Sequence, residues 1–424
     1  TAIKAISPAT ITLAREKQSI DGVLPLQASG MWTLEMDDVV NGEYQDTQQL
    51  DLFHLPLITM GQSYGLRDNL WRERISGYSE VPIAGRKSSI DEYKKIHVPT
   101  LHFGGWYDTF TRGTIALWNG IQEYSENLSA REMQWLVLGP WDHESLSKHL
   151  SGENPSSRIG KRDFGDRAMT TYGETLVNFF DHFLKGEDNG FASRERVAYF
   201  NIGDNDWRYT DQWPPEQSIL ESYYLRKGGR LTRDTPANSS ASTYKYDPQH
   251  PVVITGDINV WERAKGMKDR RDLPLRDDVL AFETESIKTD LEITGPIVLE
   301  LFASSSAMDT DFTGALVDVH PDGYSLLIQE GILRASFRDK NTEPSQIIPG
   351  EVYQFNIDLW ATSYTLPAGH RLRLEISSSN FPRFARNLNN AEPFGMSDKI
   401  EVATQTIYHS TQFPSHLLLP VMHR

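Results

Sequence analysis

The sequence of 424 residues contains no cysteine. Disulfide bonds, thiolate nucleophiles and zinc–thiolate sites are therefore excluded, because each of them needs a cysteine sulfur. The absence of cysteine is compatible with a cytoplasmic, a periplasmic or a secreted location and does not distinguish among them. The sequence also lacks any run of 18 apolar residues, so it predicts no membrane-spanning helix.

Positive charge is scarce relative to negative charge. Lys and Arg number 42, Asp and Glu number 58, and the formal net charge is −16. A nucleic-acid-binding protein carries a basic surface, and an anionic membrane attracts one, so we expect neither nucleic acid nor a membrane as a partner. The length favours two or three globular domains, and composition does not indicate the oligomeric state.

The hydrophobic pattern changes near residue 195. Before this point short apolar runs, at 98–103 and 136–138, alternate with segments of helical periodicity. The predicted helices cover residues 31–40, 66–74, 114–124 and 172–184. Strands that alternate with helices are typical of a parallel sheet with crossover helices.

After residue 195 apolar and polar residues alternate by twos, as in Ile297–Phe302 and Arg371–Ile376. Turn signals separate these runs at Gly228-Gly229, Asp322-Gly323, Pro349-Gly350 and Ala368-Gly369. Many short strands with regular turns predict an antiparallel sandwich or jelly roll.

Two titratable residues follow the two predicted strands at corresponding positions. Asp108 ends the segment Val98-Pro-Thr-Leu-His-Phe-Gly-Gly-Trp-Tyr-Asp108, and His143 ends Trp135-Leu-Val-Leu-Gly-Pro-Trp-Asp-His143. His143 lies 35 positions after Asp108, which accommodates one helix and one return strand, so both side chains would lie at the same edge of a sheet. A carboxylate there can orient an imidazole that acts as a general base. The alternative is a helix-capping Asp and a packed surface His.

The strings Gly104-Gly-Trp-Tyr-Asp108 and Gly139-Pro-Trp-Asp-His143 resemble the CocE/NonD family of serine hydrolases, which includes cocaine esterase, α-amino-acid ester hydrolases and X-prolyl dipeptidyl-peptidases. Further segments resemble the family in the same order along the chain: Lys4–Pro8, Asp211–Pro214, Tyr244–Pro248, Asp309–Phe312, Leu316–Gly323 and Ser377–Pro382. The resemblance therefore extends over essentially the whole chain.

This resemblance implies the C-terminal part of an α/β-hydrolase domain, with a helical cap insertion, followed by an all-β jelly-roll domain of the galactose-binding-like, X-Pro dipeptidyl-peptidase C-terminal type. The implied hydrolase domain comprises residues 1–19 and 96–190, the cap 20–95 and the jelly roll 195–424. In the family's Ser-His-Asp triad Asp108 corresponds to the acid and His143 to the base. Phe110 corresponds to an aromatic residue that lines the acyl pocket, and Trp32 to a cap tryptophan over the same pocket.

The family's nucleophile lies in a Gly-x-Ser-Tyr-x-Gly motif upstream of the segment that corresponds to Lys4–Pro8. We therefore expect the catalytic serine to come from a segment upstream of this chain. Gly61-Gln-Ser-Tyr-Gly65 also matches the nucleophile pattern Gly-x-Ser-x-Gly. However, Ser63 falls in the expected cap, only 45 residues before Asp108, and we do not expect it to be the nucleophile.

Two patterns resemble metal sites only superficially. His143 and His149 are six residues apart, whereas two histidines on one face of a zinc-binding helix are four apart. Asp309, Asp311 and Gly314 resemble a calcium loop, but the twelfth position is His320 rather than Glu, and the stretch alternates like a strand. We expect no metal and no cofactor.

The sequence thus predicts a serine-dependent acyl hydrolase for a small ester or amide substrate. One alternative is an X-prolyl dipeptidyl-peptidase. Another is a non-catalytic jelly-roll chain that binds carbohydrate or protein through aromatic residues, although we expect most of Tyr223, Tyr224, Tyr244 and Tyr246 to be packed inside. Gly77–Pro82 lacks the paired aspartates with which amino-acid ester hydrolases of the family hold an ammonium group, which favours a neutral acyl group.

Overall fold

A computed structural model of the chain describes residues 3–10, 20–41, 50–63, 68–76, 90–160, 162–254, 268–339 and 343–423. The labelled helices are α1 (Leu26–Asn41), α2 (Met60–Ser63), α3 (Asp68–Ser76), α4 (Thr111–Tyr124), α5 (Leu128–Glu132), α6 (His143–Ser151) and α7 (Gly173–Phe180). A further short helical stretch covers residues 90–94. The helices predicted over 31–40, 114–124 and 172–184 are confirmed in type, and α3 confirms the described part of the helix predicted over 66–74.

A small sheet contains the strands β1 (Thr100–Gly105), β2 (Gln134–Gly139), β5 (Val197–Asn201) and β6 (Asp206–Thr210), in that order. The first three strands run parallel, and β6 pairs antiparallel with β5. Residues 4–10 extend the sheet beyond β1, because Leu101 N–H donates to the Ile6 carbonyl and Phe103 N–H to the Pro8 carbonyl, both with parallel bridges. Residues 158–163 form a separate hairpin of β3 (Arg158–Ile159) and β4 (Arg162–Asp163).

A larger sheet of eleven described strands follows. Its strands are β7 (Ser218–Arg226), β8 (Arg230–Thr232), β9 (Ala241–Tyr246), β10 (Leu280–Glu283), β11 (Leu291–Ser305), β12 (Asp311–Val319), β13 (Ser325–Arg334), β14 (Tyr353–Leu366), β15 (Arg371–Ser377), β16 (Ala403–Tyr408) and β17 (His416–Met422). The pairing is antiparallel throughout, except for one parallel contact between β8 and β10. The predicted turns lie between these strands.

The change of pattern near residue 195 does not coincide with the change of sheet. Strands β5 and β6 lie after this residue, yet they join the sheet of β1 and β2 rather than the larger one. Alternation by twos could not reveal this, because an antiparallel edge strand and a sandwich strand have the same period. Among the described strands, those of the larger sheet start at Ser218.

The burial of β1 and β2 explains why their sequences are continuously apolar. Every residue of both strands is buried, as expected for a parallel sheet that is covered on both faces. The crossover between them is α4, which buries Ile115, Trp118 and Ile121. This helix and the sheet share one hydrophobic core.

The described residues between 20 and 95 are mostly helical. They form a separate apolar cluster around Trp71, whose Nε1–H donates to the Leu57 carbonyl over 2.6 Å. Phe381 and Ala385, from the loop that follows β15, complete this cluster. The helical segment is therefore packed against a loop of the larger sheet. None of the helices in the described ranges is both long and apolar enough to cross a membrane.

His102 is a fully buried imidazole between the first two strands, with Nε2 at 2.9 Å from Gln134 Oε1. Burial lowers its pKa to about 4, and the hydrogen bond to Gln134 offsets part of that effect. The folded protein therefore binds this proton less readily than the unfolded chain, and stability falls as the pH decreases from about 6.5 towards 4. We expect this group to contribute up to about 3 kcal/mol of the loss in unfolding free energy.

The measurement is urea unfolding of the wild-type protein and His102→Gln between pH 7 and pH 4. Asp309, whose pKa burial raises to about 6, acts in the opposite direction but is common to both proteins. The wild-type protein should therefore lose more stability than the variant over this range. His97→Gln, at an exposed position, serves as the control. Equal slopes for wild type and His102→Gln would contradict the assignment.

Candidate active site

The parallel register of β1 and β2 continues beyond the last residues of both strands. Gly105 pairs with Gly139, and then Trp106 N–H donates to the Gly139 carbonyl over 2.9 Å. Tyr107 N–H donates to the Trp141 carbonyl over 3.0 Å. The two loops that carry Asp108 and His143 therefore leave the sheet side by side.

This close approach requires glycine at both strand ends. A Cβ atom on Gly105 would lie 2.2 Å from the carbonyl oxygen of Trp141, and one on Gly139 would lie 2.4 Å from the Trp141 ring. The Thr111 hydroxyl closes the same turn through hydrogen bonds with the backbone of Gly105. Glycine at positions 105 and 139 therefore allows the two loops to pack closely.

Asp108 is completely buried, and its two carboxylate oxygens have different partners. Oδ1 accepts a hydrogen bond from the backbone N–H of Phe110 over 2.7 Å. Oδ2 lies 2.9 Å from Nδ1 of His143. The carboxylate is thus held by the backbone on one side and directed at the imidazole on the other. This arrangement confirms that the two predicted side chains meet.

His143 is the first residue of α6, and the preceding residue caps that helix. Asp142 accepts a hydrogen bond from Ser145 N–H over 2.7 Å, and its own backbone N–H donates to Ser145 Oγ over 3.0 Å. This capping box fixes the start of the helix and therefore the direction of the imidazole. The side chain of His143 is 39% exposed, whereas that of Asp108 is fully shielded.

The geometry suits general-base chemistry. When Nδ1–H donates to Asp108, Nε2 carries the lone pair, and the nearby carboxylate stabilises the imidazolium that forms on proton uptake. Burial of Asp108 strengthens this attraction because little water competes for it. The pair can therefore orient a base and stabilise its protonated form.

Phe110 lies beside this pair, and Trp32 lies in α1. The Phe110 ring packs edge-on against the His143 imidazole, with 5.3 Å between centroids. Trp32 is 41% exposed, and the Arg74 guanidinium covers its ring at 4.8 Å. The structure brings Asp108, Phe110 and His143 together, and the pocket role of Trp32 stays a prediction.

Ser63 does not lie in a strand–turn–helix element. Leu57–Thr59 is a 3-10 helix, and Ser63 is the last residue of the helix α2 that follows it. Its hydroxyl donates to the Thr59 carbonyl over 3.3 Å. A nucleophile elbow needs a strand before the serine, so the described part of the Gly61–Gly65 motif has the wrong backbone for one. Residues 64–67 and Gly77–Pro82 lie outside the described residues.

Residues from the two patterns that resemble metal sites contact other groups of the protein instead. His149 is buried, with Nδ1 at 2.9 Å from the Thr170 carbonyl and Nε2 at 3.2 Å from the Ser156 carbonyl. Asp311 forms a bidentate ion pair with Arg334, at 2.9 and 3.1 Å, and lies in strand β12 as the alternation predicted. The Arg334 guanidinium thus balances the charge of this carboxylate.

Three of the four tyrosines considered for carbohydrate binding are packed inside. Tyr223, Tyr244 and Tyr246 are buried, as expected. Tyr224 is half-buried, and its ring lies 5.1 Å from that of His416. These side chains therefore do not form an exposed aromatic platform.

Arg112 is a residue whose role the sequence did not reveal. It is the second residue of α4, and its guanidinium pairs with Asp21 at 3.0 Å and with Asp358 at 3.1 Å. Asp21 lies just before α1, and Asp358 belongs to β14. One cation thus joins three parts of the molecule beside Phe110. No local pattern could indicate this, because both partners are distant in the sequence.

Comparison with known proteins gives consistent matches. The family described as X-Pro dipeptidyl-peptidase (S15 family) matches residues 1–145, and the X-Pro dipeptidyl-peptidase C-terminal non-catalytic domain matches residues 189–418. Cocaine esterase from Rhodococcus sp. (strain MB1 Bresler) is 35% identical over 341 residues, which cover 77% of this chain and 57% of that protein. The chain spans about half the length of the curated relatives it matches.

Solved structures share the fold. An aminopeptidase from a marine sediment Thaumarchaeota archaeon superposes with a TM-score of 0.85 at 24% identity, covering 99% of this chain and 72% of that one. An α-amino acid ester hydrolase superposes with a TM-score of 0.81 at 23% identity, covering 99% and 73%. At these identities the likeness concerns the fold alone.

The close backbone approach at Gly105 gives a testable expectation. Gly105→Ala places a methyl group against the rigid Trp141 carbonyl, whereas in Gly104→Ala the methyl group meets the movable Leu138 Cδ2 at 3.0 Å. We expect the first substitution to lower the unfolding free energy by about 3 kcal/mol and the second by about 1 kcal/mol. Urea denaturation of both variants compares them directly. Equal losses would show that the two loops can separate without cost.

Proposed function

The chain belongs to the CocE/NonD family of serine hydrolases, and from this premise we propose that Asp108 and His143 are the acid and the base of a Ser-His-Asp triad that cleaves a carboxylic ester. The observation that carries the proposal is the 2.9 Å contact between Asp108 Oδ2 and His143 Nδ1 at the ends of adjacent parallel strands. A buried carboxylate behind a half-exposed imidazole is the arrangement that this chemistry needs.

We infer that the small sheet is the C-terminal part of an α/β-hydrolase sheet, and that the larger sheet is a jelly roll. The parallel strands β1 and β2, with α4 as their crossover, support the first inference. The eleven described strands with mostly antiparallel pairing support the second. We retain the proposed division into a hydrolase part (1–19 and 96–190), a cap (20–95) and a β domain (195–424), with β5 and β6 structurally attached to the hydrolase sheet.

The serine of the proposed triad comes from a segment upstream of residues 1–424. Two observations support this source. The Gly61–Gly65 motif is helical where it is described, and residues 4–10 already occupy the place beside β1 in the sheet. In the α/β-hydrolase order the nucleophile precedes the acid and the base along the chain.

In the proposed reaction His143 Nε2 removes the proton from the serine hydroxyl as the oxygen attacks the ester carbonyl. Asp108 keeps the Nδ1–H tautomer and stabilises the imidazolium. The imidazolium then gives its proton to the departing alcohol, and the acyl group stays on the serine. Water, deprotonated by His143, attacks the acyl carbonyl. The bond to the serine oxygen breaks, the imidazolium returns its proton to that oxygen, and the carboxylic acid is released. Phe110, which packs against His143, forms part of the wall next to the acyl group.

An ester rather than a dipeptide is the proposed substrate because the relative at 35% identity is named an esterase. The X-prolyl dipeptidyl-peptidase alternative differs only in the scissile bond. Parallel assays with a nitrophenyl ester and an Xaa-Pro nitroanilide separate the two. Faster hydrolysis of the anilide would replace the ester proposal and leave the triad intact.

Removal of the base tests the assignment directly. In the protein that includes the nucleophile segment, His143→Ala should lower kcat for a nitrophenyl ester by at least about 10⁴-fold, because no other group then activates the serine. Asp108→Asn should lower kcat by about 10⁴-fold, since the amide stabilises the wrong tautomer. KM should change much less in both variants.

The matched control is His97→Ala, which removes an exposed imidazole before β1 and should retain wild-type kcat. Circular dichroism establishes that each variant is folded. A folded His143→Ala variant with more than a tenth of wild-type activity would refute the role of His143.

Labelling with a fluorophosphonate tests the source of the serine. The chain of residues 1–424 should react at no serine, Ser63 included, because the described part of the Gly61–Gly65 motif is helical and the proposed nucleophile lies upstream. The protein with the nucleophile segment should be labelled once, and His143→Ala should remove the label. Labelling of the 424-residue chain that disappears in Ser63→Ala would overturn this part of the proposal.

A further inference from the structure

Three potential metal ligands meet on the larger sheet, away from the pair of Asp108 and His143. Strands β12 and β15 pair antiparallel, with Val319 opposite Arg371. His320 follows β12 and His370 precedes β15, so this register places the two histidines side by side. Asp318 is the penultimate residue of β12. The residues are far apart in the sequence, and only the strand pairing unites them.

The distances among these three side chains suit the binding of one metal ion. His370 Nδ1 lies 2.6 Å from Asp318 Oδ1, and His320 Nε2 lies 3.6 Å from Asp318 Oδ2. The two imidazole centroids are 4.4 Å apart at an interplanar angle of 42°. Among the described residues this is the one group of three His, Asp or Glu side chains whose ligand atoms all lie within 4.8 Å of one another.

The cluster combines a fixed carboxylate with accessible imidazoles. Asp318 is buried, and the hydroxyl of Tyr364 donates to its Oδ2 over 2.7 Å. The side chains of His320 and His370 are 31% and 14% exposed. An ion could therefore enter from solvent and keep water as its remaining ligand.

The turns also hold the histidines in place. His320 N–H donates to the Tyr324 carbonyl over 2.8 Å and Gly323 N–H to the His320 carbonyl over 2.9 Å. His370 N–H donates to the Pro367 carbonyl over 3.2 Å. Both backbone positions are thus defined before any ligand arrives, which lowers the conformational cost of binding.

We propose that Asp318, His320 and His370 bind a divalent transition-metal ion of the zinc class. Two imidazole nitrogens and one carboxylate oxygen form a ligand set that Zn²⁺ accepts, with water in the fourth position. Ligand atoms around a tetrahedral Zn²⁺ are about 3.4 Å apart, close to the His320–Asp318 distance. All ligand atoms of the three residues lie within 4.8 Å of one another, so a rearrangement of roughly 1 Å brings them to this spacing.

The existing hydrogen bond between Asp318 and His370 is compatible with this site. The ion takes the place of the Nδ1 hydrogen of His370, and the neutral imidazole then carries its hydrogen on Nε2. The guanidinium of Arg162 interacts electrostatically with Asp318 and limits the affinity without blocking either imidazole. A bound ion would join the turn between β12 and β13 to the turn between β14 and β15. The site is independent of the proposed hydrolase function.

Isothermal titration of chelator-treated protein with ZnCl₂ tests the proposal. Wild type should bind one zinc ion, and the Co²⁺-loaded protein should show the visible absorption of a low-coordinate site. His320→Ala should weaken Zn²⁺ binding by at least about tenfold, and Asp318→Asn should do the same. Zinc should raise the Tm of wild type and not that of His320→Ala.

The matched control is His250→Ala. His250 pairs with Asp247 at 2.9 Å, like His370 with Asp318, but it is exposed and belongs to no such group among the described residues. This variant should bind Zn²⁺ as wild type does. Absence of saturable binding in wild type, or binding that persists unchanged in His320→Ala, would overturn the proposal. Because His320 is partly exposed, His320→Ala provides a folded test even if His370→Ala does not fold.

Discussion

The parallel pairing of Thr100–Gly105 with Gln134–Gly139 is the constraint on which the candidate active site depends. Asp108 and His143 face each other because the backbone ladder continues past both strands, through Trp106 and Tyr107, before the loops diverge. The glycines at positions 105 and 139 permit this approach, since a methyl group at either one would collide with Trp141. The contact between Asp108 and His143 therefore depends on close backbone packing at the two strand ends.

Asp108 and His143 have different surroundings. Asp108 is shielded from water and held by the backbone of Phe110, whereas His143 sits at a capped helix start with part of its ring exposed. Shielding makes the carboxylate an effective orienting group, because its attraction for the imidazole is weakly screened. Exposure leaves the imidazole able to meet a substrate.

The larger sheet takes part in this arrangement rather than merely following it. Asp358 of β14 holds Arg112, which also binds Asp21 at the start of the cap segment, and Phe381 and Ala385 complete the apolar cluster around Trp71. The helical segment before residue 95 is thus joined to the larger sheet by ion pairs through Arg112 and by an apolar cluster. The same sheet also assembles Asp318, His320 and His370 at the ends of its strands.

Local patterns were sufficient for everything that depends on neighbouring residues. The period of apolar side chains identified α1, α4 and both central strands, and equivalent positions after those strands identified Asp108 and His143. Local patterns did not predict contacts between segments that are distant in the sequence. Alternation by twos could not assign β5 and β6 to the small sheet, and no spacing could pair Arg112 with Asp358 or His320 with His370. Period and spacing describe one segment at a time, whereas strand order and register bring distant segments together, and only the folded chain specifies them.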